Sequence, residues 1–223
     1  MFDEIAPVYD RVNTVMTAGG DGRWRRAAVR AADVSSGDAV LDVACGTGKL
    51  SAALAEQVGP FGRVVGVDLA PVMIEQASQA HGDLVQLTFQ VANALDLPFP
   101  EAEFDAATIA FGLRNLADFE AGFRELARVV RPGGRVVCLE LSTPPVRAWG
   151  RLYRATFNRL APLAASVFGH GATYRYLPGS LEGFPDAATL AGVMVRAGLG
   201  EVTFRRLALG AVALHVGRVP AIS

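Results

Sequence analysis

A run of β-forming residues with one acid, at residues 40–43, leads into a glycine-rich turn, and this succession limits the possible folds more than any other feature of the sequence. Gly46 and Gly48 follow the stretch, and residues 48–58 alternate apolar and polar at helical spacing. The pattern predicts a strand, a tight turn and a helix. Glycine lets the backbone approach a ligand closely, and the first N–H groups of the helix have no partners within it.

Two aspartates flank this turn and indicate what kind of ligand it serves. Asp42 stands before it, and Asp68 closes a second apolar run at residues 63–69, about 20 residues beyond the glycines. In nucleotide-binding βαβ units, an acid at the end of the second strand, where Asp68 stands, accepts hydrogen bonds from ribose hydroxyls. Asp42 disfavours a pyrophosphate, because it would repel the anion that a helix N-terminus otherwise binds. It suits a ligand with a cationic end, such as the α-amino group of S-adenosylmethionine. A turn that binds no ligand is the alternative.

From residue 39 onwards, predicted strands and helices alternate with short loops. The strands are nearly continuous apolar runs, which is typical of a parallel sheet covered by helices on both faces. A short glycine-containing connection between the last two strands predicts an antiparallel pair. The predicted strands are 39–44, 63–69, 87–92, 104–111, 134–141, 200–208 and 211–219, and the predicted helices are 23–32, 48–58, 71–80, 118–130 and 186–197.

These elements predict one α/β domain over residues 1–223. We expect a Rossmann-like, doubly wound, mostly parallel seven-stranded sheet with an antiparallel terminal strand. Residues 1–36 are expected to form an N-terminal helical cap and residues 142–185 a helical lid insert. The glycine-rich residues 18–22 before the first predicted helix fit a hinge and a plain connector equally well.

Composition disfavours several kinds of partner. The chain has 21 basic and 22 acidic residues, a net charge of -1, so no overall field attracts nucleic acid. Acidic residues interrupt the start of the chain, which argues against a signal peptide, and no apolar run is long enough to span a bilayer. We therefore expect a cytoplasmic protein. Cys45 and Cys138 fall in or beside predicted strands and fit reduced core residues, and the lack of clustered His, Cys and Asp predicts no metal.

A polar residue, Asn93, follows the third predicted strand. Ligands of parallel sheets bind beyond the carboxyl ends of the strands, near the point where strand order reverses. There the Asn93 side-chain amide and the N–H of Ala94 could recognise an adenine. An Asx turn at the strand end explains the same residue without a ligand.

Seven short motifs occur along the chain in a fixed order. They are Tyr9-Asp10-x-x-Asn13, Leu41-Asp42-x-Ala44-x-Gly46-Thr47-Gly48, Asn93-Ala94-x-x-Leu97-Pro98-Phe99, Phe111-Gly112-Leu113-Arg114-Asn115, Arg131-Pro132-Gly133-Gly134-Arg135, Tyr174-x-Tyr176-Leu177-x-x-Ser180 and Gly210-x-Val212-Ala213-Leu214-His215. Together they resemble the menaquinone/ubiquinone C-methyltransferase family of class I S-adenosylmethionine-dependent enzymes. The fourth and seventh motifs are specific to that family, whereas the glycine motif is common to the whole class.

The resemblance implies methylation of a demethylmenaquinol, a reduced prenylated naphthoquinone, at a ring carbon. It implies S-adenosylmethionine as the cofactor. The cofactor-binding residues that it implies are Thr47, Asp68, Asn93, Ala94 and Ala110, and Ala110 stands where the family often has Ser. Asp42, Gly46 and Gly48 of the glycine turn are also candidate cofactor-binding residues.

The chain departs from the family pattern at a few positions. Asp21 and Gly22 stand where His and Arg often precede the N-terminal tryptophan, and Cys45 replaces a common glycine. An acidic pair often seen before the sixth motif is missing. These departures leave open another apolar small-molecule acceptor, such as a polyketide, a sterol-like compound or a ubiquinone precursor. The near-neutral charge disfavours a nucleic-acid methyltransferase, and the intact acids disfavour a module that binds without catalysis.

Carbon methylation needs an activated acceptor, and three residues are candidates for this task. Ionising a quinol hydroxyl raises electron density at the ortho carbon, so a cation beside the phenolate or a base helps. Arg114 could supply the charge, although a structural salt bridge explains it equally well. His170 or Tyr174 could accept the proton. His215 lies in an apolar alternating strand and is expected to be a hydrogen-bonded core histidine.

The segment 141–181 is basic and rich in apolar residues. It contains five arginines and neither Asp nor Glu; the arginines are Arg147, Arg151, Arg154, Arg159 and Arg175. The first three share helical spacing and would lie on one face. A basic amphipathic lid would contact an anionic membrane, where a prenylated quinol resides. A helix packed on the sheet with a solvated arginine face is the alternative.

Overall fold

The computed structural model describes residues 19–144 and 183–221, which form a sheet with helices on both faces. The strands are β1 (Ala39–Val43), β2 (Arg63–Asp68), β3 (Leu87–Val91), β4 (Phe104–Ala110), β5 (Val130–Leu141), β6 (Gly200–Leu207) and β7 (Val212–Arg218). The helices are α1 (Asp21–Ala32), α2 (Lys49–Val58), α3 (Pro71–His81), α4 (Phe119–Val129) and α5 (Ala187–Arg196). Short 3-10 turns cover Leu113–Asn115 and Ala208–Gly210.

The seven strands lie in the order β3-β2-β1-β4-β5-β7-β6. Strands β1 to β5 pair in parallel, and β7 is antiparallel to both β5 and β6. The predicted doubly wound, mostly parallel sheet is confirmed, and the antiparallel strand is the C-terminal one, inserted between β5 and β6. The chain moves outward from β1 in both directions, so strand order reverses between β1 and β4 and a crevice opens there.

Both faces of the sheet are buried, which explains why its strands are continuous apolar runs. Within β1, Leu41 faces α4 and α5, whereas Val40 faces α1 and α2, because successive side chains of a strand point to opposite faces. The α4 and α5 side of the core includes Phe104, Ile109, Phe123, Leu126 and Leu190, and the α1 and α2 side includes Ala28, Leu50, Leu54, Val64 and Val212.

The start of β5 differs most from the predicted elements. The predicted helix ends at 130 and the predicted strand begins at 134, which implies a turn between them. The strand instead begins at Val130, and residues 131–134 bulge opposite Asp105. Gly133 has a φ of +82°, and a Cβ on Gly134 would lie 2.5 Å from the Asp105 carbonyl oxygen. The two glycines therefore allow a bulge within the strand where a separate turn was expected.

The first described helix begins earlier than predicted. Gly20 is the N-cap of α1, and Asp21 and Gly22 already belong to its first turn. Only Gly19 and Gly20 of the predicted glycine-rich connector remain outside the helix among the described residues.

Several predicted features lie outside the described residues. These are the N-terminal cap up to residue 18, the lid insert between 145 and 182 with its arginines, and the candidate catalytic residues His170 and Tyr174. Within the described ranges, none of the helices has the length and apolarity needed to cross a membrane.

Candidate cofactor and acceptor site

A cavity of about 320 Å³ lies at the carboxyl ends of β1, β2, β3 and β4, where strand order reverses. Most of its lining is apolar, with polar groups from the ends of β2 and β3. The lining residues are Val43, Ala44, Gly46, Asp68, Leu69, Ala70, Pro71, Met73, Ala92, Asn93, Ala94, Phe111, Gly112, Asn115 and Leu116. Four of the residues predicted to bind the cofactor are among them: Gly46, Asp68, Asn93 and Ala94.

The glycine turn forms the cavity's edge and leads into α2. Gly46 and Gly48 have φ values of +56° and +78°, a region that favours glycine. A Cβ on Gly48 would lie 2.6 Å from Phe89 Cζ and 2.9 Å from a His81 ring carbon. Gly48 therefore serves close packing behind the turn. The neighbouring Thr47 carbonyl lies 3.1 Å from His81 Nε2, and neither Thr47 nor Gly48 is part of the lining.

Asp68 joins the ends of two strands and faces the cavity. Its Oδ2 accepts a hydrogen bond from the Gly46 N–H at 2.9 Å, and its Oδ1 accepts one from the Ala70 N–H at 3.0 Å. The two bonds fix the carboxylate at the position where nucleotide-binding folds hold a ribose.

Asp42 lies beneath the turn, and its contact with a cofactor stays a prediction. The sequence interpretation set its carboxylate against a cationic ligand group, but Asp42 is 1% exposed and outside the cavity lining. Its oxygens accept hydrogen bonds from Ser51 Oγ at 2.6 Å and Thr108 Oγ1 at 2.7 Å. Burial raises the pKa of Asp42 to about 6, against the lowering effect of these two hydroxyls. Asp42 therefore ties β1 to α2 and β4.

Asn93 forms the Asx turn that its sequence position allowed, and its contact with an adenine stays a prediction. Its Oδ1 accepts a hydrogen bond from the Leu95 N–H at 3.0 Å, which is an Asx turn, and Asn93 pairs with Asp96 in an isolated bridge. Its exposed side chain also lines the cavity next to Ala94. The turn thus places Asn93 at the edge of the cavity.

The end of β4 contributes a residue pair that sequence reasoning did not single out. Phe111 has a φ of +59° and Ala44 a φ of +53°, both unusual for non-glycine residues, and both line the cavity. Between them, Gly112 leaves no room for a side chain, because a Cβ there would lie 2.3 Å from the Ala44 Cβ. Predicted Ala110 is half-buried behind this pair and outside the lining. Only the glycine in the Phe-Gly-Leu-Arg-Asn block hinted at this close approach.

Arg114 takes part in a buried ion pair. Its Nη1 lies 2.6 Å from Glu140 Oε1, and the two side chains are 5% and 0% exposed. The same Nη1 donates to the Phe111 carbonyl at 2.6 Å. The structure thus contains the salt bridge that the sequence left open, and the guanidinium holds the Phe111 backbone. A catalytic role for Arg114 stays a prediction.

His215 is a core residue, as predicted. It is fully buried in β7, and its Nε2 lies 2.8 Å from the Ala187 carbonyl oxygen at the start of α5. Burial lowers the pKa of its imidazole. Cys45 and Cys138 are buried free thiols, as expected. Within residues 19–144 and 183–221, no group of three or more His, Cys, Asp or Glu side chains is arranged to hold a metal.

The described residues suit an adenosyl ligand. Asp68 offers a hydrogen-bond acceptor at the end of β2 and Asn93 an amide at the end of β3, while apolar atoms of Leu69, Pro71 and Met73 form walls for a flat base. Small cavities with a few fixed polar groups among apolar side chains are typical of cofactor sites.

Comparison with known proteins agrees with this arrangement. Residues 1–219 match the ubiE/COQ5 methyltransferase family. The chain belongs to this family. Its members are methyltransferases, and the methyl donor is S-adenosylmethionine.

Relatives match over almost the full chain. The Thermus thermophilus protein named demethylmenaquinone methyltransferase is 46% identical over 224 residues, covering 99% of this chain and 100% of the relative. A Geobacter sulfurreducens protein named ubiquinone/menaquinone biosynthesis C-methyltransferase UbiE is 37% identical over 222 residues, covering 97% and 86%. A solved S-adenosylmethionine-dependent methyltransferase from Aquifex aeolicus superposes with a TM-score of 0.62 at 18% identity, covering 87% and 88%, which shows the shared fold.

Proposed function

We propose that the protein transfers a methyl group from S-adenosylmethionine to a ring carbon of demethylmenaquinol, giving menaquinol. The observation that carries the proposal is a cavity with Asp68 and Asn93 at one end and an apolar lining elsewhere. Relatives named demethylmenaquinone methyltransferase, at 46% and 42% identity over 99% of the chain, support the choice of acceptor.

Residues at the strand ends hold the donor. Asp68 binds the ribose hydroxyls, and the Asn93 amide and the Ala94 N–H bind the adenine edge. When bound, S-adenosylmethionine supplies an electrophilic methyl group on a sulfonium. The apolar residues Leu69, Pro71 and Met73 exclude water from the base, which strengthens the few polar contacts.

Methylation of the acceptor depends on how its ring carbon is placed relative to the methyl group and on ionisation of a ring hydroxyl. Holding donor and ring carbon in line at short distance supplies much of the rate enhancement. Phe111, Asn115 and Leu116 line the side of the cavity next to β4 and are the described residues that we expect to contact the ring. His170 and Tyr174, which lie outside the described residues, stay the candidates for proton acceptor.

Arg114 supports the site by holding the backbone of Phe111. Its charge is balanced by Glu140, and its Nη1 holds the Phe111 carbonyl at 2.6 Å. The arrangement supports a role in fixing Phe111, and a direct contact with a phenolate would require Arg114 to leave Glu140. Removing one partner of a buried pair costs about 3–5 kcal/mol, so such a departure is unfavourable.

A panel of acceptors tests the proposed substrate. Purified protein is assayed with labelled S-adenosylmethionine against reduced demethylmenaquinone, a reduced ubiquinone precursor and an aromatic polyketide. We expect the highest kcat/KM for demethylmenaquinol. A higher value for either of the other acceptors would reassign the substrate while leaving the donor site unchanged.

We also propose that the basic segment 141–181 brings the protein to the membrane surface, where a prenylated quinol resides. The support is its composition, five arginines without an acid among many apolar residues. Each arginine near anionic lipid contributes about 1 kcal/mol. Co-sedimentation with phosphatidylglycerol vesicles should decrease at high salt and when Arg147, Arg151 and Arg154 are replaced by Glu. Unchanged vesicle binding and unchanged turnover of long-tailed quinol would reduce the segment to scaffold.

A further inference from the structure

The methionyl end of the donor carries a carboxylate, and the site described so far offers it no cation. Asp68 and Asp42 are acids, and the guanidinium of Arg114 faces Glu140. An anion placed in a mostly apolar cavity needs a positive group or several donors to offset its desolvation. A cation near the glycine turn would meet this need.

Arg25 lies on the second turn of α1, close to that turn. Its guanidinium carbon is 5.7 Å from the centre of the Phe111 ring, and Phe111 lines the cavity. Its charge also lowers the pKa of Asp42, which lies in β1 directly beneath the turn. The contact with the Phe111 ring thus places the Arg25 charge at the β1 and β4 side of the cavity.

The local partners of Arg25 do not neutralise it well. Its ion pair with Asp21 has an Nε to Oδ2 distance of 4.0 Å, beyond hydrogen-bonding range. The Nε atom is buried and has no hydrogen-bond partner within residues 19–144 and 183–221. The side chain is only 14% exposed. A buried donor without a partner is costly, so a ligand that accepts from it would be stabilised.

The position of Arg25 fits one end of the donor. Asp68 and Asn93, at the ends of β2 and β3, define the half of the cavity for the adenosyl group. The opposite half lies at the ends of β1 and β4, next to Ala44 and Phe111, and the Arg25 guanidinium lies over the Phe111 ring. We propose that Arg25 binds the α-carboxylate of the methionyl end of S-adenosylmethionine.

Comparison of two ligands tests this assignment. Decarboxylated S-adenosylmethionine keeps the sulfonium, the amine and the adenosyl group but lacks the carboxylate. Calorimetry would measure the dissociation constants of both ligands for the wild type, Arg25→Met and Arg25→Lys. Arg25→Met should weaken binding of S-adenosylmethionine about tenfold to a hundredfold and change binding of the decarboxylated ligand less than about twofold.

Two further variants keep the test sharp. Arg25→Lys retains the charge and should recover part of the lost affinity, and it serves if the methionine variant does not fold. Arg26→Met removes the neighbouring, exposed arginine of the same helix and should leave both dissociation constants unchanged.

Three outcomes would overturn the proposal. Equal weakening of both ligands would make Arg25 a structural residue of α1. Unchanged affinity for both would remove it from the donor site. Unchanged donor affinity with a lower kcat and a shifted pH profile for quinol methylation would assign its charge to the acceptor phenolate. The binding readout needs no acceptor, so a wrong choice of acceptor under the proposed function leaves this test intact.

Discussion

The Asp68 carboxylate accepts a hydrogen bond from the Gly46 N–H at 2.9 Å and so links the end of β2 to the turn after β1. These two residues come from neighbouring parallel strands, and both line the cavity. A single side chain therefore shapes the glycine turn and presents an acceptor to the ligand. Changes at Asp68 are expected to act on both.

Replacing Asp68 should weaken donor binding strongly. Asp68→Ala removes the proposed ribose acceptor and leaves the Gly46 N–H without its partner, each costing about 1–3 kcal/mol. We expect the dissociation constant of S-adenosylhomocysteine to rise at least about tenfold, measured by calorimetry, and Asp68→Asn to give a smaller rise. Asp83→Ala, which removes an exposed acid in the loop after α3, is the control. Unchanged affinity in Asp68→Ala would rule out the ribose assignment.

Position 112 should accept a side-chain methyl group only if the Cβ of Ala44 is removed or displaced. Gly112→Ala places a Cβ 2.3 Å from the Ala44 Cβ, and overpacking of this kind costs about 1–3 kcal/mol. Ala44→Gly removes the obstacle and suits the φ of +53° at that position.

A double-mutant cycle measures this relationship. Unfolding free energies from urea titration should show a loss for Gly112→Ala that is largely recovered in the variant carrying both changes. Additive effects of the two substitutions would mean that the Ala44 contact is not what excludes a side chain at Gly112.

The buried Asp42 should make stability depend on pH. Its pKa is raised from 3.8 to about 6 in the folded protein, so folding favours the protonated form. The stabilisation is fully present below about pH 4 and is lost as the pH rises through about 6. At 1.36 kcal/mol for each pKa unit, the loss amounts to about 3 kcal/mol above pH 7.

Asp42→Asn isolates this contribution. Asn keeps the shape and removes the ionisation, so its unfolding free energy relative to the wild type should increase between about pH 4 and 6.5 and then level off. Urea unfolding at four pH values gives this difference directly. A difference that stays constant with pH would mean that Asp42 ionises in the folded protein as readily as in the unfolded chain.

Two ion pairs of equal length should differ in strength because they differ in burial. Arg114–Glu140 and Arg63–Glu103 both have N to O distances of 2.6 Å, but the first is buried and the Arg63 side chain is 46% exposed. Glu140→Gln leaves a buried charge unbalanced and should cost about 3 kcal/mol or more, whereas Glu103→Gln should cost less than about 1 kcal/mol. Equal losses in chemical unfolding would contradict the importance of burial here.

Much of the fold could be predicted from the sequence, because the apolar runs in the sequence coincide with the strands that are buried in the structure. The predicted strands around the cavity match the structure to within a residue, since each is an apolar run covered on both faces. Asp68 was predictable for a similar reason, because a strand end in a parallel sheet fixes where its side chain lies. His215 was predictable from the apolar alternation around it.

Other features depend on partners that are distant in the chain. Burial of Asp42 requires Thr108, 66 residues away, and the balance of Arg114 requires Glu140. The bulge at 131–134 resembles an ordinary turn in sequence, and only its pairing with β4 reveals it. The unusual backbone of Ala44 and Phe111 has no residue signature, because neither is a glycine.

The product of a single turnover tests the account most directly. The protein is incubated without oxygen with S-adenosylmethionine carrying a ¹³C-labelled methyl group and demethylmenaquinone, with and without a chemical reductant, and the product is analysed by NMR and mass spectrometry. We predict one labelled methyl group on a ring carbon, formed only when the quinone is reduced, because the carbon needs an ionisable hydroxyl beside it. A label on oxygen, or equal methylation without reductant, would contradict carbon methylation of a quinol.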